Sequence, residues 1–387
     1  MATRRQPGRY EKSTVAGEAV SAFIPDPLPP PIKVSAELGE KVRLAEQKLR
    51  RLELAGDMVP SIEWFIYAFV RKEAVVSSQI EGTQASLIDL LAYEAGAPDD
   101  PTDDVEEVSN YLVSLAYARQ QLRSEKGLPL STRLLNEAHR RLMKGVRGST
   151  KQPGELRRSQ NWIGGTRPSN ALFVPPPPQE LGSLLSDLEK YIHGESKLPP
   201  LVRAALVHVQ FETIHPYLDG NGRIGRLLIT LLLEHWNLLS EPLLYLSLFF
   251  KRHRSEYYRL LNAVRLEAAW DAWVSFFVEG VSTIADEAAD TARDLFMLVN
   301  KDRARVLSAR NASVMAARLL DQLPRHPMVT IPAVVHLLGT TKPTAAKAIG
   351  VLEQLGILRE TTGRRRDRTF SYAGYLDRLR AGTDLEE

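Results

Sequence analysis

Most of the information in this chain of 387 residues lies in one stretch, His215-Pro216-Tyr217-Leu218-Asp219-Gly220-Asn221-Gly222-Arg223-Ile224-Gly225-Arg226. It separates two apolar stretches with helical periodicity, 201–211 and the segment that contains 227–233. Gly220 and Gly222 permit backbone conformations that other residues resist, so their amide hydrogens can converge on one point. The helix that follows presents its positive end to the same point. The stretch therefore predicts an anion site suited to phosphates.

The side chains of this stretch supply the groups that phosphate chemistry needs. Arg223 and Arg226 are three residues apart on a helix, so their guanidinium groups can grip two phosphoryl groups, and Asn221 can add a neutral hydrogen bond. Asp219 offers a hard oxygen ligand to Mg²⁺. His215, with an unperturbed pKa near ~6.5, can accept a proton from a hydroxyl group at neutral pH. Taken singly, each residue is more often structural, but their combination indicates a site.

Other reaction classes find little support in the sequence. The eight histidines are scattered and no His-Glu-x-x-His spacing occurs, so Glu234-His235 lacks the second histidine of a zinc motif. There is no Walker lysine loop. The chain has no cysteine, which excludes disulfides, thiolate zinc sites and cysteine nucleophiles.

The composition is that of an ordinary folded protein, with 44% apolar and 25% charged residues. No apolar core follows the basic residues of Met1–Gly8, so no secretory signal is visible. The most apolar run, Leu227–Leu233, is far shorter than the roughly 20 residues of a membrane span. We therefore expect a cytoplasmic protein that does not engage a membrane.

The pattern predicts a mainly α-helical chain in four segments. The proline cluster Pro25–Pro31 disfavours regular structure and marks 1–34 as an extended arm. Residues 35–125 form a helical region, in which apolar spacings of three, four and seven predict a helix that ends near Ile80 and Gly82. Residues 126–300 form a helical core that contains a short hairpin before the prolines 175–178.

Residues 301–387 have the pattern of a small separate domain. A helix over 306–320 and another over 331–338 precede Lys342-Pro343, which opens a third helix that ends before Gly356. Two strands, 357–359 and 369–372, then flank a charged hairpin tip. This segment has 15 Lys and Arg against 9 Asp and Glu, which indicates an acidic partner such as nucleic acid, or else a solvated basic face.

The stretch 215–226 resembles, almost residue for residue, the signature His-Pro-Phe-x-Asp/Glu-Gly-Asn-Gly-Arg-x-x-Arg of the Fic family. Only Tyr217 departs, and it keeps an aromatic ring. The resemblance implies that His215 is the catalytic base, that Asp219 holds Mg²⁺ and that 220–226 bind the phosphates of ATP. Fic proteins mostly transfer AMP to Ser, Thr or Tyr hydroxyls of proteins, so this activity is expected here.

Two further segments are similar to parts of the family outside its signature. The hairpin 161–174 corresponds to the family's flap, which pairs with an extended segment of the target protein by strand addition. Tyr258, after the basic run 251–254, corresponds in position to a residue of the family that contacts adenosine. Tyr257 is the other candidate, and core packing is the alternative role for these rings.

Upstream, Ser77-Ser78-Gln79-Ile80-Glu81-Gly82 resembles the family's inhibitory motif Ser/Thr-x-x-x-Glu-Gly/Asn. The resemblance implies that Glu81 pairs with Arg226 and keeps the γ-phosphate from a productive position, with Ser77 as the first residue of the motif. A carboxylate at that place would occupy an arginine and repel the anion. A solvated glutamate at a helix end is the alternative.

Residues 301–387 resemble the winged-helix domain of many bacterial Fic proteins. The resemblance to the family as a whole covers about 62–372. Such a domain can bind DNA through Lys342, Thr344 and Lys347 and through wing arginines at 364–366 and 368, or it can serve a protein contact such as a homodimer. Two alternatives to regulated AMP transfer stay open. One is a DNA-binding regulator whose core senses nucleotide, and the other is an enzyme that removes AMP from a modified protein.

Overall fold

The computed structural model describes residues 7–15, 17–57, 61–96, 102–310 and 313–385, without the side chains of Ser13 and Asp57. The described chain is mainly helical. The helices are α1 (Ala36–Asp57), α2 (Glu63–Ile80), α3 (Leu87–Glu94), α4 (Asp103–Arg123), α5 (Thr132–Leu142), α6 (Leu181–His193), α7 (Pro200–Ile214), α8 (Asn221–His235), α9 (Ser247–Arg252), α10 (Arg254–Glu267), α11 (Trp270–Ser308), α12 (Val314–Gln322), α13 (Ile331–Leu338), α14 (Lys342–Gln354) and α15 (Ala373–Leu379). The strands are β1 (Gly8–Val15), β2 (Glu18–Pro25), β3 (Met328–Thr330), β4 (Leu358–Glu360) and β5 (Thr369–Tyr372).

The chain divides into two compact units. The first comprises Met1–Arg50, Asn110–Ser240 and Phe249–Ala285, and the second comprises Arg51–Ser109, Glu241–Leu248 and Asp286–Glu387. The predicted segments 35–125, 126–300 and 301–387 do not coincide with these units, and α11 runs through 300/301 without a break. The predicted domain limits therefore stay a sequence-based proposal.

Helix α7 is the centre of the first unit, because every residue from Leu201 to Ile214 is buried. His208, fully buried, bonds the Gly225 carbonyl through Nδ1 at 3.1 Å and the Tyr257 hydroxyl through Nε2 at 2.9 Å. The indole of Trp273 donates to the Ala205 carbonyl at 2.8 Å. Polar contacts of this kind satisfy groups that burial would otherwise leave at a cost. They tie α8, α10 and α11 to the same helix.

The N-terminal segment corrects the predicted extended arm 1–34. Strands β1 and β2 form an antiparallel hairpin whose register runs from Gly8 opposite Pro25 to Val15 opposite Glu18. The run 26–35 after Pro25 has neither helix nor strand. The prolines hid the pattern before them, in which alternate residues of β2 such as Val20 and Ala22 are buried.

The helical predictions upstream of the core are confirmed. Helix α2 ends at Ile80, and Gly82 has the left-handed φ of +98° that ends it. Residues 97–101 lie outside the described residues, and α4 begins at Asp103. In the second unit α2 is anchored by Glu73, which accepts a hydrogen bond from the Ser247 amide at 3.1 Å.

The C-terminal part follows the order α12-β3-α13-α14-β4-β5-α15, with a three-stranded antiparallel sheet in the order β3-β5-β4. The predicted helix 306–320 is wrong, because α11 extends to Ser308 and α12 begins only after the N-cap Ser313. Strand β3 and helix α15 were not predicted, since elements of three and seven residues carry too little periodicity to detect. No helix of the described residues is long and apolar enough to cross a membrane.

Burial of His208 makes the stability of the first unit depend on pH. Burial lowers the pKa of His208 from 6.5 to about 3, so the unfolded chain takes up a proton at a higher pH than the folded chain does. The contribution is complete above pH 6.5 and is lost as the pH falls toward about 3. We expect the urea midpoint to fall across this window less steeply for His208→Gln than for the parent. Parallel curves would contradict the assignment.

Candidate active site

The loop between α7 and α8 turns on two left-handed residues. His215 follows the last residue of α7 with φ 49° and ψ 62°, and Gly220 precedes α8 with φ 75°. Glycine adopts this conformation without the strain that a side chain brings, whereas His215 must be held in it by its surroundings. Gly222 differs from the expectation, because it lies inside the first turn of α8 with helical geometry.

Asn221 locks this loop. Its Oδ1 accepts from the Tyr217 amide at 2.8 Å, and its Nδ2 donates to the Tyr217 carbonyl at 2.8 Å. Both ends of the side-chain amide are therefore bonded to the backbone across the loop. Asn221 therefore shapes the loop, and its predicted hydrogen bond to a phosphate stays a prediction.

The start of α8 has the backbone geometry that a helix N-terminus offers to an anion. The backbone N–H groups of 221–223 come before the first intrahelical donor, since the Ile224 amide is the first to reach back, to the Gly220 carbonyl at 3.1 Å. Arg223 and Arg226 are 3% and 2% exposed, so both cations are held in a low-dielectric setting beside this helix end. Ile224 is fully buried and contributes its backbone rather than its side chain.

Asp219 lies at the mouth of the loop, with its side chain 34% exposed. Its Oδ1 accepts from the Gly220 amide at 2.7 Å, and Lys151 Nζ lies 3.5 Å from Oδ2. Among the described residues no three His, Cys, Asp or Glu side chains cluster as a metal cage. A single carboxylate is compatible with Mg²⁺, which usually takes one or two protein carboxylates together with substrate phosphates and water.

His215 is partly exposed, and its Nδ1 atom is buried. Burial, together with the cations of Arg265 and Arg157, lowers its pKa from 6.5 to about 3, and a backbone interaction with Glu212 opposes the shift. The imidazole is therefore neutral at pH 7 and can accept a proton. Because Nδ1 is buried, Nε2 is the ring nitrogen that a substrate hydroxyl can reach.

Two buried arginines that the sequence analysis missed hold the loop. Arg157 donates from Nε to the His215 carbonyl at 2.9 Å, and its amide donates to the Pro216 carbonyl at 2.9 Å. Arg265 donates from Nη2 to the Glu212 carbonyl at 3.1 Å. They come from distant parts of the chain, and no local motif marks them.

His139 and Tyr217 form a second missed contact. The imidazole stacks on the phenol ring with 3.9 Å between centroids and 8° between planes. His139 Nδ1 accepts from the Gly154 amide at 2.9 Å, so its Nε2 donates to the Asp219 carbonyl at 3.0 Å. The Tyr217 hydroxyl donates to Asn136 Oδ1 at 2.8 Å, a bond that phenylalanine could not make.

The predicted flap hairpin 161–174, called the flap segment below, is less regular than expected. It has one antiparallel bridge, Ile163 with Phe173, and a 3₁₀ turn at Pro168–Asn170 instead of two strands. The turn is held by Asn170, whose Oδ1 accepts from two amides of the loop. On the other side, the Phe23 amide of β2 donates to the Val174 carbonyl at 2.9 Å.

The remaining predicted residues are separate from the loop in sequence. Tyr258 on α10 is 42% exposed, whereas Tyr257 is buried and bonded to His208. Tyr258 is thus the one of the pair that is open to a ligand. Glu81 is an exposed residue that caps the C-terminus of α2, and Ser77 is fully buried in the same helix of the second unit.

Comparisons with known proteins agree with this geometry. Residues 129–233 match the Fic/DOC family, and residues 40–120 match the Fic/DOC family N-terminal region. A protein adenylyltransferase Fic of Drosophila virilis is 29% identical over 251 residues, 64% of this chain and 46% of that protein. The Drosophila melanogaster protein of the same name is 30% identical over 231 residues, 57% of this chain and 44% of that protein. The chain thus spans about half the length of these curated relatives.

Solved structures show the same fold. A Fic family protein from Desulfovibrio desulfuricans G20 superposes with a TM-score of 0.57 at 20% identity, over 90% of this chain and 99% of that one. A Fic domain containing signaling protein from Bacteroides thetaiotaomicron gives a TM-score of 0.51 at 20% identity, over 65% of this chain and 95% of that one.

Close contact between α7 and α8 depends on Gly225. A Cβ there would lie 2.3 Å from Glu212 Oε1 and 3.3 Å from the Phe211 ring. We expect Gly225→Ala to lower the free energy of unfolding by about 1–3 kcal/mol, because a packed interface must move apart. The control is Gly350→Ala in α14, where a Cβ meets nothing within 4 Å, and it should be neutral or slightly stabilising. Equal effects in chemical denaturation would refute the claim.

Proposed function

We propose that this chain, which belongs to the Fic/DOC family, transfers AMP from ATP to a hydroxyl side chain of another protein, and that Glu81 restrains this activity. The proposal is carried by one observation: the neutral, partly exposed His215 lies six residues before the start of α8, where backbone amides and two buried arginines suit an anion. The relatives named protein adenylyltransferase support it.

In the proposed reaction His215 Nε2 accepts the proton of the target hydroxyl. The oxygen then forms a bond to the α-phosphorus of ATP, and the bond from that phosphorus to the β-phosphate oxygen breaks, so that pyrophosphate leaves. The α8 amides with Arg223 and Arg226 stabilise the phosphate charge, and Tyr258 contacts the adenosine. Asp219 would hold Mg²⁺, which neutralises phosphate charge when bound.

The flap segment is the proposed docking edge for the target protein. Its single bridge leaves backbone groups of an extended segment available for strand addition. The motif of Ser77 and Glu81 is the proposed brake, in which the Glu81 carboxylate engages Arg226. If Glu81 instead orients a water molecule, the same core removes AMP from a modified protein.

The order α12-β3-α13-α14-β4-β5 supports a winged helix-turn-helix as the C-terminal module, with α14 as the second helix of the turn. Lys342 and Lys347 are exposed on α14, and the arginines of the β4–β5 hairpin are also exposed. These cations favour DNA as a second partner of the chain. A homodimer is a further proposal from the family resemblance, and a cytoplasmic location is a proposal from the sequence pattern.

Incubation with α-³²P ATP and Mg²⁺ tests the transfer reaction. We expect Glu81→Gly to raise label on the protein itself and on lysate proteins, because the brake is removed. His215→Ala in the same background should lower labelling by about 10²–10⁴-fold, the usual contribution of a general base. Label that persists in His215→Ala would exclude the proposed base. Release of AMP from labelled protein by the parent would instead favour the removal reaction.

Binding of a fluorescent DNA duplex at about 50 and 200 mM salt tests the second partner. Each phosphate contact adds about 0.9 to the slope of log affinity against log salt, so Arg365→Glu with Arg366→Glu should weaken binding and reduce the slope by about 2. Arg293→Glu on α11, an exposed arginine paired with Asp290, is the control and should bind as the parent does. Salt-insensitive or absent binding would leave a protein contact as the role of the module.

A further inference from the structure

The C-terminal end of α7 lacks a donor that an ordinary helix would have. The Glu212 carbonyl would accept the amide N–H four residues later, but that residue is Pro216, which has none. Arg265 supplies the missing donor through Nη2 at 3.1 Å. Its Nε also donates to Thr213 Oγ1 at 3.2 Å. One side chain of α10 thus holds the last turn before His215.

The same guanidinium touches the flap segment. Its Cζ lies 3.9 Å from the centre of the Phe173 ring, and Phe173 is the residue that bridges to Ile163. Arg265 is 7% exposed and Phe173 is 9% exposed, so the contact is shielded from water. A buried cation is costly unless its N–H donors and its face have partners. Arg265 has four, since its Nη1 also donates to Asn262 Oδ1 at 3.4 Å.

We infer that Arg265 is a positioning residue that couples the seating of a target segment on the flap segment to the orientation of His215. The inference rests on the proposed AMP transfer. The guanidinium is planar, so stacking on Phe173 fixes the direction in which its N–H groups point. Those groups hold Glu212 and Thr213, and the left-handed His215 follows two residues later. A strand that binds to the flap segment would therefore restrict both the contact of Arg265 with Phe173 and the last turn of α7.

Arg157 does not share this role, although it is equally buried. Its guanidinium donates to backbone carbonyls, among them those of His215 and Pro176. Because these partners are backbone groups, Arg157 holds the loop after α7 independently of the side chains of the flap segment. Of these two arginines, Arg265 is the one that contacts both a flap side chain and the last turn of α7.

The first test uses self-labelling with α-³²P ATP in the Glu81→Gly background. Arg265→Lys keeps the charge but cannot stack and donate in two directions, and Phe173→Leu removes only the ring. Both should lower the maximal rate by about 10- to 100-fold while KM for ATP stays within about twofold, because displaced reacting groups cost rate rather than nucleotide binding. Phe173→Tyr, which keeps the ring, should retain the parent rate. Arg259→Lys, an exposed arginine on α10 paired with Glu256, is the matched control.

The second test does not need activity. In ¹⁵N-histidine NMR spectra, the imidazole signals of His215 should shift in Arg265→Lys and Phe173→Leu and stay in place in Phe173→Tyr and Arg259→Lys. Parent-like rates and unmoved His215 signals in folded Phe173→Leu would overturn the inference. If the Glu81→Gly parent carries no label, AMP transfer fails while the NMR comparison still decides the coupling.

Discussion

A proline placed directly after a left-handed histidine is the constraint on which this site depends. Pro216 cannot donate a hydrogen bond, so the last turn of α7 ends with carbonyls that the helix itself does not satisfy. Two arginines from other parts of the chain donate to carbonyls at this turn, Arg157 from the segment between α5 and α6 and Arg265 from α10. The loop can then leave α7 sharply and enter α8 with its amides aimed at one point.

The same arginines contribute to the chemical state of the histidine. Burial around His215 and, after it, the positive charges of Arg265 and Arg157 lower its pKa and favour the neutral imidazole, which is the form that can take a proton. Arg223 and Arg226 at the start of α8 are buried as well. In the proposed reaction the two pairs of cations have different roles, because Arg157 and Arg265 position the base while Arg223 and Arg226 bind the substrate anion.

What the sequence could predict follows from distance along the chain. The stretch 215–226 was predictable because its glycine turn, helix start and charged side chains are all local, and α2 with its Gly82 end was predictable from periodicity. His139 could not be predicted, since its role is a contact with Asp219, which lies 80 residues away. The hairpin β1–β2 escaped because prolines dominate its neighbourhood, and the start of α12 escaped because apolar periodicity continues from α11 past the break at Ser308.

The hydrogen bond from the Phe23 amide to the Val174 carbonyl also affects how exposed the edge of the flap segment is. An unpaired strand edge is a template for any extended chain, including another copy of the same protein. Here the chain's own strand β2 occupies the Val174 end of the flap segment. The hydrogen bond that holds the flap segment in place therefore also helps to protect this edge from aggregation.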